Sequence, residues 1–151
     1  MKIDRKRRLF DKVNGFDKLD TVFFEIIKEI KKVFDQKKIP ILERKEKDHF
    51  YVFGQTISFS WKFIIDENLH YGEMIVSHLK KDDPEKVLKP FFTRYFDPRG
   101  NIHSKPGQTP FKHFIHDPEQ MKELLYMILE DFLKLDCFKA EPVAEGLAED
   151  E

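Results

Sequence analysis

Apolar residues recur at spacings of three and four across the first quarter of the chain. Phe16, Leu19, Val22, Phe23, Ile26, Ile27, Ile30, Val33 and Phe34 form this series. That period places them on one face of an α-helix. Asn14 or Asp17 offers a side-chain oxygen to the free N–H groups of its first turn. Lys31, Lys32, Lys37 and Lys38 crowd its end, where the helix dipole favours cations, and Ile39-Pro40 stops it. Residues 1–13 are weakly patterned and are expected to form a flexible arm or a short helical lead-in. Ile39–Glu43 reads as a short first strand, kept to an edge by Pro40, which has no N–H to give a ladder.

The pattern then switches to period two. Ile57, Phe59, Trp61, Phe63 and Ile65 alternate with Thr56, Ser58, Ser60, Lys62 and Ile64, as in a half-buried β-strand. Gly54-Gln55 and Glu67-Asn68 are the expected hairpin turns. With Glu67-Asn68 at the tip, Ile65 faces His70, Phe63 faces Gly72, Trp61 faces Met74, Phe59 faces Val76 and Ile57 faces His78. On the opposite face Lys62 meets Glu73 and Ser58 meets Ser77, so apolar partners coincide and one opposite-charge pair forms. A turn at Gly54-Gln55 pairs Val52 with Ile57 and Phe50 with Phe59. The predicted inward face is Phe50, Val52, Ile57, Phe59, Trp61, Phe63, Ile65, Met74 and Val76.

A second helix is expected beyond Asp83 and Pro84, with Val87, Leu88, Phe91, Phe92 and Tyr95 as its apolar face and Pro90 kinking or ending it. Asp97–Asn101 is a turn, and residues 97–116 form a long connection without a clear period. Asp117-Pro118-Glu119 caps a last helix striped by Met121, Leu124, Leu125, Ile128, Leu129, Phe132 and Leu135, which ends near Cys137. The elements predict an α+β fold: an antiparallel β-meander of three to four strands with an N-terminal and a C-terminal helix packed on one face.

The chain's 151 residues fit one domain, assigned to 1–139 with a basic arm at 1–13 and a disordered acidic tail at 140–151. A net charge of -1 hides a gradient. Lys2, Arg5, Lys6, Arg7 and Arg8 open the chain, and Glu141, Glu145, Glu149, Asp150 and Glu151 close it. The single cysteine excludes an internal disulfide and suits a reducing cytoplasm. No apolar run approaches the ~20 residues of a membrane span, and no membrane partner is expected.

Catalytic motifs are missing. The chain has no phosphate-binding glycine loop, no HExxH and no GxSxG, so enzymatic activity and a cofactor are not expected. Four constellations remain. Arg94, Arg99, His103, Lys105 and Lys112, in and around the long connection, are donors suited to a phosphate or carboxylate. His113 and His116, three apart, are the candidate metal ligands, though a third ligand is missing from the local sequence. His70 and His78 fall at the ends of the inward face and read as structural. Tyr51, Phe53, Tyr71 and Ile75 lie on an outer sheet face poor in charge, the composition of an interface core.

The function expected is a small soluble binding, adaptor or regulatory protein acting through protein contact or self-association. A nucleic-acid or nucleotide-phosphate binder using the arm and residues 94–116 is the alternative. A metal-dependent hydrolase at His113 and His116 is the third.

Overall fold

The computed structural model describes residues 2–36, 42–43, 49–80, 87–107 and 112–140. Its elements are α1 (Lys2–Gln36), β1 (Leu42–Glu43), β2 (His49–Val52), β3 (Gln55–Asp66), β4 (Leu69–Leu79), β5 (Leu88–Phe96), β6 (Asn101–His103), β7 (His113–Phe114) and α2 (Pro118–Leu133). A 3₁₀ turn, Asp136–Phe138, follows α2. The seven strands form one sheet in chain order, every neighbouring pair antiparallel. The sheet curls into a half-barrel, and both helices flank it.

The β3–β4 register is the one read from alternation, from Ile65 opposite His70 to Ile57 opposite His78, with Lys62 opposite Glu73. Glu67 and Asn68 both take positive φ, as a two-residue hairpin turn requires. The preceding turn differs from expectation. Its central residues are Phe53 and Gly54, so Val52 pairs with Gln55 and Phe50 with Ile57. Both central positions are left-handed, and glycine fits the second of them. The shift is two residues, so the same side chains still face inward.

Residues 88–96 are the larger correction. They form β5, not a helix, and pair with β4 from Gly72–Phe96 to Leu79–Leu88. The aromatic spacing from Leu88 to Tyr95 satisfies either period, a known ambiguity of short apolar runs. Pro90 decides against the helix, where it would remove a hydrogen bond and clash with the preceding turn. In the sheet it lies opposite Ser77, beside a bulge at Val76/Ser77. β6 reaches only Tyr95 and Phe96, so this stretch of β5 is paired on one side among the described residues. The expected cap at Asp83 and Pro84, the strand start at Ile39–Pro40 and the acidic residues 141–151 lie outside the described residues. The long connection is shortened by β6 and β7, and the meander has seven strands where three to four were expected.

Both helices do pack on one sheet face. From α1, Phe16 meets Trp61 and Phe63, Phe23 meets Phe96, and Phe34 meets Phe50. From α2, Phe132 meets His78 and Phe91. Of the predicted inward face, Phe50, Val52, Ile57, Phe59, Met74 and Val76 are buried, and Trp61 and Phe63 are partly buried against them. Ile65, at the hairpin tip, is exposed. Two glycines permit close approach. A Cβ on Gly72 would overlap the Phe96 ring, and one on Gly15, within α1, would overlap the His70 imidazole. From Lys2 onward the N-terminal arm is helical, part of α1.

Candidate binding surface

The anion-binding candidates do not converge. Arg94 lies opposite Met74 on the helix-covered face, its guanidinium 4.2 Å from the Phe92 ring centre. Its Nη1 donates to the Thr93 carbonyl at 2.8 Å, and its buried Nε has no partner. Burial lowers its pKa, against the opposing field of Asp131. His103 pairs with Tyr95 on the other face and donates from Nε2 to Asp97 Oδ2 at 3.2 Å. Arg99, Lys105 and Lys112 are exposed, and the Arg99 backbone N–H donates to Asp97 Oδ1 at 2.9 Å within the turn. Sequence proximity gathered these five residues; the sheet separates Arg94 from His103 by placing them on opposite faces.

The histidine pair is likewise split. His113 is buried under α2, paired opposite Ile102, while His116 is exposed and edge-on to Phe114. Neither ring nitrogen of His113 has a hydrogen bond, and Glu123 Oε1 lies 3.7 Å from its Nε2. Burial lowers its pKa; the Glu123 carboxylate opposes this, and Arg94 and Lys112 reinforce it. Among the described residues no group of three or more His, Cys, Asp or Glu is placed to hold a metal.

On the outer face, Asp97 organises a polar cluster. Its carboxylate accepts from Arg99 N, Asn101 N, Asn101 Nδ2 and His103. Tyr71 is buried beside His103, its pKa raised by burial and then by Asp66, Asp97 and Glu67. Tyr95 donates to Glu73 Oε2 at 2.8 Å, a bond that raises its pKa. Asp97 spends its acceptors holding the turn, so this cluster is built as a brace. Cys137 follows α2 with its thiol pKa raised, chiefly by desolvation, which disfavours a thiolate nucleophile.

The four outer-face candidates are spread out. Tyr51 shares a row with Thr56 and Leu79, whereas Tyr71 pairs with Ile64 near the start of β4. Eight residues of strand separate those rows, about 26 Å. Tyr51 and Ile75 are half-buried, Phe53 is exposed on its turn, and Tyr71 is withdrawn from the surface. β5 extends the sheet beside β4, and Thr56, Ser58 and Ser77 on this face are themselves buried.

Sequence reasoning missed a groove on the helix side. It runs between α1 and β3, about 850 Å³, lined by Asp20, Thr21, Phe23, Phe24, Ile27, Lys28, Lys31, Phe59, Ser60 and Trp61. The α1 stripe buries Phe23 and Ile27 but leaves Phe24 at 58% exposure. The Lys28 ammonium stands 5.6 Å from the Phe24 ring centre, and that of Lys31 5.9 Å from the Phe50 ring centre. Trp61 Nε1 donates to Asp20 Oδ1 across the groove at 3.2 Å. The sequence signal was Phe24 itself, the large apolar residue of this segment left off the helical stripe.

No family model, curated protein or solved structure matches the chain.

Proposed function

We propose that this is a small binding protein that acts by contact with another protein, using the groove between α1 and β3. The observation that carries this reading is the exposed Phe24, which lines a concavity together with Trp61, Phe23, Ile27 and Phe59, with Lys28 and Lys31 in the same lining. Aromatic anchors around a concavity are the usual energetic centre of a protein interface. Lys28 and Lys31 favour an occupant that carries carboxylates beside its apolar residues. The partner is therefore a segment of mixed aromatic or aliphatic and acidic character. Tyr51, Phe53 and Ile75 on the outer face supply a second contact surface in this reading.

Peptide-display selection against the purified full chain tests it. Enriched sequences should combine apolar residues with Asp or Glu. Their affinity should fall about tenfold or more with Phe24→Ala, the loss typical of an interface anchor. Charge reversal, Lys28→Glu with Lys31→Glu, should abolish the acidic preference. Enriched peptides indifferent to all three substitutions would overturn the assignment.

A further inference from the structure

The N-terminal part of α1 extends past the sheet. Residues Asp4–Asn14 are exposed throughout, and Gly15, against His70, is the first to be seated on the body. Leu9 and Phe10 are each 63% exposed and Val13 46%. Helix continuity places these residues. At ~100° per residue, Leu9, Phe10 and Val13 share one side of the arm. Asp4, Arg8 and Asp11 fall on the opposite side. Arg5 and Lys12 flank the apolar side on one edge and Arg7 on the other. Lys6 lies within it, where its long stem can follow apolar surface and carry the ammonium outward.

We propose that this arm lies on an anionic lipid surface. Six cations against two carboxylates give residues 2–14 a strong attraction for acidic headgroups. The carboxylates occupy the pole that would face water. Leu9, Phe10 and Val13 would enter the boundary between headgroups and acyl chains, the position taken by surface-lying basic helices. Nucleic acid would satisfy the cations alone, leaving those three apolar side chains in water. The arm lies along the surface; among the described residues no helix is long and apolar enough to cross a membrane. The proposal is independent of the groove, whose lining begins at Asp20.

The test is co-sedimentation of the full chain with vesicles of phosphatidylcholine alone and of phosphatidylcholine mixed with phosphatidylserine. Binding should require phosphatidylserine and weaken as salt rises. Arg5→Gln, Arg7→Gln and Lys12→Gln together should cost about fivefold per cation, roughly a hundredfold in all. Leu9→Gln, Phe10→Gln and Val13→Gln together, which keep every charge, should cost about tenfold or more. All six positions are exposed, and an unchanged thermal transition would confirm that each variant folds. Absence of binding to phosphatidylserine vesicles at low salt would overturn the proposal. Binding that ignores the apolar triple variant, or tighter binding to duplex DNA than to vesicles, would do the same and assign the arm to a polyanion instead.

Discussion

The indole of Trp61 donates to the carboxylate of Asp20 at 3.2 Å, fastening the middle of α1 to β3. The Phe16 ring lies tilted against the same indole at 4.9 Å and Phe23 approaches it at 6.4 Å. The chain's one tryptophan thus reports on both the helix–sheet contact and the groove. Asp20→Ala removes the acceptor near the surface and should cost about 1 kcal/mol. Urea unfolding followed by Trp61 emission measures it. A loss above about 3 kcal/mol would mean that Asp20 does more than accept this bond.

Gly72 lies directly under the Phe96 ring, which is fully buried. Gly72→Ala forces that ring or the β4–β5 pairing to move. Overpacking of this kind costs about 1–3 kcal/mol. Thermal unfolding of the variant should show the loss; a stability equal to the parent's would contradict the packing described here.

The Asp117 side chain accepts from Glu119 N at 3.0 Å and Gln120 N at 3.2 Å, and Pro118 follows it at the first helical position. Asp117→Ala should destabilise the protein by about 1 kcal/mol and Asp117→Asn by less. Chemical denaturation of the two variants checks the ranking.

Two buried histidines set a pH dependence. His78 donates to Gln55 Oε1 at 3.1 Å; its pKa is lowered by burial and then by Lys80 and Lys89. That of His113 is lowered by burial first. The unfolded chain protonates both near pH 6.5, before the folded chain does, so below that pH it binds more protons. Stability is therefore expected to fall as pH drops through about 6.5 and to be fully present above it. Urea titrations on either side of pH 6.5 test the sign. His113→Gln should flatten the slope relative to the parent; an unchanged slope would remove His113 from the account.

Much of the sheet was legible because alternation is a local signal with a strict period. Ile57 through Ile65 and their partners could be paired by hand, and burial of one face fixed the register. The last helix was legible for a similar reason, its stripe and Asp117 cap agreeing. Residues 88–96 were not, since Leu88, Phe91, Phe92 and Tyr95 fit both periods and the β4 edge that recruits them is remote in sequence. The candidate site fared worse. Arg94 and His103 look adjacent along the chain, yet strand alternation sends them to opposite faces. The groove depends on α1 crossing β3, a contact between residues about forty apart such as Asp20 and Trp61, and no local period encodes it. Leu9 and Val13 extend the three-four spacing back from Phe16, and that extension was the available sign of a helical arm.

The most direct test of the groove is the Trp61 indole N–H resonance in a ¹⁵N-correlated spectrum of the full chain. It is a single peak, hydrogen-bonded to Asp20 on the groove wall. Titration with the acidic, apolar peptides selected against the protein should move or broaden it in proportion to binding, and Phe24→Ala should suppress the change. A peptide that saturates the protein while the indole peak stays in place would contradict the account.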